Sequence, residues 1–228
     1  MTVCPTRRES LAGLGYVLFQ YSLLPPALFF CNGLLPSPLG DSQLNLIFFA
    51  LNFGVAILIF RRFLVSSLPA FTGQLKRSLK FIFLGFFLCT AGQGLVSLGI
   101  RALLPDFLNQ NDLALQNMAG SDFWITALGT VILVPPAEEC IHRGMIFRGL
   151  YEKSPWAAYL VSAFVFSLIH VLGYLGIYSP GALAAAFLQY LLPGLILAWS
   201  YQKTDTIFVP ILIHALINLK GMLLFLVR

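Results

Sequence analysis

Seven apolar stretches divide this 228-residue chain, and they constrain its fold more than any other feature. They occupy residues 14–35, 44–60, 79–98, 156–174, 183–201 and 207–227, together with a segment that begins near residue 123. An apolar stretch of about 20 residues is long enough to cross the hydrocarbon core of a bilayer as a helix. Because lipid cannot satisfy backbone amides, such stretches span as helices. The sequence therefore predicts an all-α, polytopic transmembrane helix bundle with about seven spans, numbered here in chain order.

The composition also favours the membrane. Hydrophobic residues make up 58% and charged residues 10% of the chain, whereas soluble domains carry about 25% charged residues. The net charge of +5 is interpreted as basic loops beside the bilayer, which is typical of cytoplasmic connections, and not as a nucleic-acid surface. We therefore predict one membrane-embedded domain over residues 1–228, with the lipid bilayer as a partner and no nucleic acid.

Charge alternates between successive connections and predicts the orientation. Lys and Arg are frequent in the N-terminal segment, in residues 61–80 and between spans 4 and 5, whereas residues 36–43, 105–121 and 175–182 contain none. The positive-inside rule then predicts a multi-pass cell-membrane protein whose N-terminus is cytoplasmic. Residues 61–80 fit either an interfacial helix or a loop that only sets topology. Residues 105–121 are predicted as a polar loop, and Pro25-Pro26 as a kink in span 1.

Two adjacent carboxylates, Glu138 and Glu139, lie at the end of the apolar part of span 4. An ionisable residue inside a membrane costs about 2.5–3.5 kcal/mol on insertion scales, so it usually marks function. Pro135 and Pro136 cannot donate backbone hydrogen bonds and predict a break or a kink, and a new helix that starts there would hold both acids in its positive first turn. Arg143 lies one turn after Glu139 and is predicted to pair with it, which leaves Glu138 for proton chemistry. The predicted orientation puts both acids toward the cytoplasmic half.

Two of the three histidines lie in later spans, His170 in span 5 and His214 in span 7. Asn218 follows His214 by one helical turn on the same face, and Phe166 precedes His170 by one turn. Glu, His and Asn together provide a general base, a polariser or metal ligand, and donors for an oxyanion. Structural roles, as a buried ion pair or as interhelical hydrogen bonds, are the alternative. The third histidine, His142, is placed at the membrane edge as a bystander.

Three motifs stand on three separate spans in a fixed order. Residues 138–143 fit EExxxR, residues 166–170 fit FxxxH, and residues 214–218 fit HxxxN. In this order they resemble the CAAX-protease and bacteriocin-processing family of intramembrane endopeptidases, also called the Abi family. The resemblance covers about residues 120–222, and residues 1–119 are interpreted as variable helices of the same domain. Some relatives have an eighth span that this sequence does not show.

The resemblance implies an enzyme that hydrolyses a peptide bond of a membrane-associated protein or peptide, with a role in bacteriocin maturation or self-immunity. It places the site between spans 4, 5 and 7. Glu138, Glu139, His170, His214 and Asn218 are the implied catalytic residues, and Arg143 and Phe166 are the implied orienting residues.

Two mechanisms remain open at this stage. In one, Glu138 and His170 activate a water while His214 and Asn218 stabilise the oxyanion. In the other, His170, His214 and Glu138 hold a divalent metal, zinc, whose bound water becomes the nucleophile, as in a metalloprotease. The soluble zinc signature HExxH is absent from the sequence. Two other functions also remain open: a non-catalytic immunity or scaffold protein of the same fold, and a proton-coupled membrane transporter.

Overall fold

The structure is a computed structural model, and it describes residues 3–227. Within this range every regular element is helical. In chain order the helices are α1 (Arg7–Ser22), α2 (Leu24–Gly33), α3 (Asp41–Thr72), α4 (Leu75–Leu103), α5 (Gln110–Ser121), α6 (Phe123–Tyr151), α7 (Pro155–Val171), α8 (Pro180–Thr204) and α9 (Phe208–Phe225). Six helices are long and apolar enough to cross a membrane, and the bent pair α1–α2 makes up a seventh span. The predicted all-α bundle of about seven spans is therefore confirmed.

The outer surface of the bundle is apolar, as lipid contact requires. Phe83 and Phe87 on α4 are both largely exposed. Trp124 begins α6 and Trp156 begins α7, and they are 79% and 80% exposed. Because a short turn joins these helices and reverses the chain, the two indoles lie at opposite ends of the bundle. Exposed tryptophans at both ends are typical of the two membrane–water interfaces.

The predicted kink in the first span is confirmed. Helices α1 and α2 are bent by 45° at Leu23. Pro25 and Pro26 lie in the first turn of α2. In a first turn the backbone N–H groups have no carbonyl of a preceding turn as a hydrogen-bond partner, so a proline, which lacks the N–H, costs least there. The chain therefore keeps both segments helical and changes direction only at the junction.

The basic segment and the polar connection are both more helical than the sequence suggested. Helix α3 continues through Arg61 and Arg62 to Thr72, so a loop at residues 61–72 is wrong. The predicted loop at residues 105–121 is also wrong over most of its length, since it contains α5. The side chain of Asn109 caps α5 by accepting hydrogen bonds from the first backbone N–H groups of that helix. Because of this cap, a polar segment can form a helix even though its apolar residues do not recur at helical spacing.

Close packing of α4 against α8 and α9 forms the centre of the bundle. A Cβ at Gly85 would meet Ile213 of α9, and a Cβ at Gly92 would meet Leu192 of α8. The absence of a side chain at these two glycines therefore allows the helices to approach closely. The same contacts set the relative depth of the three helices, because Gly85 lies beside Ile213 and Gly92 beside Leu192.

A buried acid, Glu9, braces the first helix against a kink in α3. Phe60 has non-helical dihedral angles (φ −95°, ψ 16°), and the backbone N–H of Phe63 donates to Oε1 of Glu9 at 3.0 Å. The other carboxylate oxygen accepts from the N–H of Thr6 at 2.7 Å and closes a capping box. Glu9 thereby satisfies amides of two different helices.

We expect Glu9→Ala to destabilise the protein by about 1–3 kcal/mol, because it leaves a buried N–H of α3 without an acceptor. Thermal unfolding of the detergent-purified protein measures this. Asp106→Ala is the control, since Asp106 is exposed in the turn after α4 and surface substitutions usually change stability by less than about 0.5 kcal/mol. Equal unfolding temperatures for the two variants would contradict the brace.

Candidate active site

Helix α6 carries the two adjacent carboxylates and is continuous over Phe123–Tyr151. Its segments Leu128–Leu133 and Cys140–Phe147 are wound as π-helix, and Val134–Glu139 between them is α-helix. The predicted break at the proline pair is therefore wrong. A π turn is wider than an α turn, so the chain passes the proline rings without ending the helix.

Glu138 and Glu139 consequently lie in the middle of α6 and not in a first helical turn. The positive end of a helix is too far away to stabilise them, since that effect is confined to the terminal turn. Their charge must instead be compensated by side chains of α6 itself and of neighbouring helices. The Glu139 side chain is fully buried, whereas that of Glu138 is 20% exposed.

The predicted ion pair between Glu139 and Arg143 is present. Nη1 of Arg143 donates to Oε1 of Glu139 at 3.0 Å, and both side chains are fully buried. Nη2 of Arg143 donates to the carbonyl of Gly194 at 3.0 Å, and the guanidinium lies 4.5 Å from the centre of the Phe166 ring. The same Oε1 accepts a hydrogen bond from Nδ1 of His214 at 2.8 Å. Glu139 therefore joins α6 to α9.

Glu138 faces His170 of α7. The distance between Oε2 of Glu138 and Nε2 of His170 is 4.0 Å, which is too long for a direct hydrogen bond. Oε2 is buried and has no hydrogen-bond partner among the described residues. Nδ1 of His170 lies 2.7 Å from the carbonyl oxygen of Phe166 and must carry the proton, because a carbonyl only accepts. Tyr190 stacks on the imidazole at 4.3 Å between centroids and holds the ring orientation.

Asn218 is held by a backbone carbonyl that the π turn sets free. The N–H of Val134 bonds to the carbonyl of Gly129, five residues earlier, and so bypasses Thr130. The next residue in this register, Pro135, has no N–H to donate. Nδ2 of Asn218 donates to the carbonyl of Thr130 at 2.8 Å. The proline pair thus orients an amide on another helix, and the second amide hydrogen of Asn218 remains for another acceptor.

His142, which the sequence analysis places at the membrane edge, is enclosed by protein. It is buried, with 2% of its surface exposed. Its Nδ1 donates to the carbonyl of Glu138 at 2.8 Å, and its ring packs edge-on against Phe166 with 5.3 Å between centroids. These contacts give His142 a packing role beneath the Glu138–His170 pair.

A cavity of about 1220 Å³ opens beside these groups. Five of the predicted site residues lie on its wall, namely Glu138, Phe166, His170, His214 and Asn218. The cavity extends toward the end of the bundle that carries Arg101 and Asn109, away from the basic junction of α3 and α4. Glu139 and Arg143 are not part of this wall and lie behind His214.

A bound metal ion requires several ligand side chains that lie close together. Among the described residues, no three His, Cys, Asp or Glu side chains are close enough to hold one ion. Nδ1 of His214 bonds to Glu139, which leaves Nε2 as the nitrogen that could bind a metal, but Glu138 and His170 form only a pair in the described part of the chain. The three predicted zinc ligands therefore do not fit a three-ligand site in this arrangement, and we assign no step to a metal.

Three contributors to the site were not found from the sequence: the ring of Tyr190 and the carbonyl groups of Thr130 and Gly194. Backbone carbonyls have no side-chain signature, and Tyr190 is one of eight tyrosines. The proline pair was the usable signal, because each proline removes a donor and leaves a carbonyl upstream for another partner.

Comparison with protein families found one match. Residues 120–220 match the family described as type II CAAX prenyl endopeptidase Rce1-like. The matched region begins just before α6 and ends in α9, so it includes every residue of the site described above. Comparisons with curated proteins and with solved structures found no match.

Proposed function

We propose that this protein, whose residues 120–220 match the Rce1-like family of type II CAAX prenyl endopeptidases, hydrolyses a peptide bond of a membrane-associated protein or peptide by means of a water activated by Glu138 and His170. The observation that carries the proposal is the separation of 4.0 Å between Oε2 of Glu138 and Nε2 of His170 on the cavity wall. Both atoms are acceptors, and the glutamate oxygen has no partner in the described part of the chain.

The separation of these two acceptors is suited to one bridging water. Hydrogen bonds to a carboxylate oxygen and to an imidazole nitrogen are about 2.7–2.9 Å long, so one water oxygen bridges two atoms 4.0 Å apart. With both hydrogens bonded, the lone pairs of the water point into the cavity. Glu138 takes a proton as the water oxygen bonds to the substrate carbonyl carbon, and it returns that proton to the amine as the C–N bond breaks.

His214 and Asn218 are placed to stabilise the oxyanion. Nδ1 of His214 bonds to Glu139, so Nε2 can donate to the oxyanion only from the imidazolium form of the ring. Asn218, oriented by the Thr130 carbonyl, supplies its second amide hydrogen. A hydrogen-bond donor aimed at an oxyanion contributes about 10²–10³-fold to kcat in other hydrolases. Glu139 and Arg143 act as positioning residues behind His214.

We expect peptide hydrolysis to survive metal removal. The physical reason is that Glu138 and His170 can activate water without a third ligand. Purified protein freed of metal with EDTA and 1,10-phenanthroline should keep its rate to within about twofold, a change well below the factor of 10²–10⁴ that a general base contributes. A loss that added zinc restores would instead establish the metalloprotease alternative.

The cleavage itself is tested by comparing protein termini. Cells that express the wild-type protein should contain membrane-protein fragments with new termini that are absent from cells expressing Glu138→Gln. Identical termini in both would contradict the endopeptidase, and a reconstituted proton flux would then favour the transporter. If Glu138→Gln conferred full protection against a bacteriocin, catalysis would not be the function and the immunity or scaffold role would hold. We propose bacteriocin maturation or self-immunity as the process, and a cytoplasmic N-terminus as the orientation.

A further inference from the structure

The cavity beside Glu138 lies in one half of the bundle, and the long helices α4 and α9 show this separately. Junctions α3–α4, α6–α7 and α8–α9 lie together at one end, here called the basic end. Connections α2–α3, α4–α6 and α7–α8 lie at the other, here called the open end. On α4 the cavity wall begins at Thr90, past the middle of the helix, and continues to Arg101 in the last turn. On α9 it continues to Phe225, the last residue of the helix, so the cavity reaches the open end.

Packed side chains close the cavity toward the basic end. Its deepest wall residue on α6 is Ile141, which is ten residues before the end of that helix at Tyr151, or about 15 Å at 1.5 Å per residue. The layer beneath it contains four aromatic side chains that are each at most 1% exposed, namely Phe60, Phe63, Phe147 and Tyr201. Because protein interiors leave few voids larger than a water molecule, a peptide cannot reach Glu138 from the basic end.

Polar groups line the cavity from the open end inward. Asn109, Asn111 and Asp112, around the start of α5, lie on the cavity wall. The amides of Asn109 and Asn111 donate to the hydroxyl of Tyr190 at 3.2 and 3.1 Å, and the Tyr190 ring stacks on His170. The polar part of the wall therefore extends from α5 to His170. Hydrolysis consumes a water, and such a wall suits the entry of water from the open end.

Charge distinguishes the two ends of the bundle. Lys and Arg are frequent at the basic end, in the first turn of α1, in residues 61–80 and in residues 148–153. The connections at the open end contain neither, and Arg101 in the last turn of α4 is the exception beside them. Short connections rich in Lys and Arg stay in the cytoplasm. The proposed orientation, with a cytoplasmic N-terminus, therefore turns the open end away from the cytoplasm.

We propose that substrates reach Glu138 and His170 from the non-cytoplasmic side, and that the cleaved bond belongs to a segment already carried into or across the membrane. This inference rests on the proposed function, since it names the substrates of the same site. Glu138 lies fifteen residues after the start of α6 at Phe123, or about 22 Å from the open end at 1.5 Å per residue. An extended peptide covers about 3.3 Å per residue, so about seven substrate residues lie inside the bundle. Protein translocation or insertion is the class of reaction that must supply such a substrate.

Thiol labelling tests the direction of access and does not depend on cleavage. It is carried out on spheroplasts of bacteria that express the Glu138→Gln protein, with a maleimide that does not cross membranes as the probe. The natural cysteines Cys4 and Cys31 are exposed and are replaced by serine, whereas Cys89 and Cys140 are buried and stay. Single reporter cysteines are then added to this background, and labelling is compared before and after lysis.

Gly94→Cys places a thiol on the cavity wall, where an added Cβ meets no atom within 4 Å. Leu95→Cys is the matched control, because Leu95 is the next residue but is 71% exposed on the outer surface and lies outside the described cavity wall. Lys153→Cys reports the basic end, where Lys153 is exposed. Before lysis we expect Gly94→Cys to label at least about tenfold faster than Leu95→Cys, because a maleimide reacts with a thiolate and a thiol in lipid stays protonated. Lys153→Cys should label only after lysis.

Three labelling results would overturn the proposal: reaction of Gly94→Cys only after lysis, reaction no faster than that of Leu95→Cys, or reaction of Lys153→Cys before lysis. Ser97→Cys, about one turn further toward the open end on the same wall, is a second reporter. It should label like Gly94→Cys, so the test does not depend on the folding of one variant.

A separate measurement uses the protein with Glu138 intact. The new termini that depend on Glu138 should lie in segments on the non-cytoplasmic side of the membrane. Such termini in cytoplasmic segments would overturn the access route and leave the peptidase in place. If no termini depended on Glu138 while the thiols labelled as expected, the proposed function and its substrates would be contradicted, but the direction of the opening would not.

Discussion

Replacing Glu138 by Gln should reduce kcat/KM for peptide hydrolysis by about 10³-fold, within the range that a general base contributes. The amide has the same size and can still accept a hydrogen bond, but it cannot take a proton from the water held between this position and His170. The oxygen concerned, Oε2, is buried and 4.0 Å from Nε2 of His170. Stopped assays on a peptide identified from the cellular termini measure the change.

The control for this variant is Glu152→Gln at the end of the same helix. Glu152 is 72% exposed and is not part of the cavity wall, so its replacement should leave kcat/KM within about twofold, as expected for a surface position. Both variants should insert and unfold at nearly the parent temperature. Parent-like hydrolysis by Glu138→Gln would show that another group activates the water.

Replacing Arg143 by Met should give the largest loss of stability, about 3–5 kcal/mol, because it leaves the Glu139 carboxylate buried without its cation. Both side chains are fully buried and 3.0 Å apart. The change also removes the donor to the Gly194 carbonyl and the contact with the Phe166 ring. Thermal unfolding in detergent measures it, and Arg8→Met, at an exposed position of α1, is the control.

The double variant Glu139→Gln with Arg143→Met separates stability from activity. Neutralising both members removes the uncompensated charge, so most of the stability should return, as found when buried ion pairs are replaced together. The introduced amide can still accept a hydrogen bond from Nδ1 of His214, but it carries no negative charge beside the ring. Hydrolysis should therefore remain low in the double variant. Recovery of both properties would assign the pair to stability alone.

The predictions from sequence succeeded where one helix or one apolar stretch sufficed. Glu139 and Arg143 are one turn apart on a single helix, so their pairing follows from helical geometry. The seven spans follow from the length of the apolar stretches. The loop predicted at residues 105–121 failed because a cap from Asn109, and not an apolar pattern, makes α5.

The proline pair shows a different limit. A break and a new first turn at Pro135 were reasonable, because proline removes a backbone donor. The chain has a second solution, which is to keep the helix continuous through the prolines. The preceding turn is π-helical, and the freed carbonyl of Thr130 accepts a hydrogen bond from Asn218, 88 residues away in sequence. That solution requires α9 to lie beside α6, and no local pattern carries this information.

What the sequence determined by itself is the set of membrane helices and the titratable side chains that each one carries. Hydrophobicity and helical periodicity are local properties, and they are sufficient for both. The tertiary structure decided which carboxylate meets which histidine: Glu139 meets His214, whereas Glu138 faces His170. These choices depend on the rotation and depth of each helix, which close packing of α4 with its neighbours fixes.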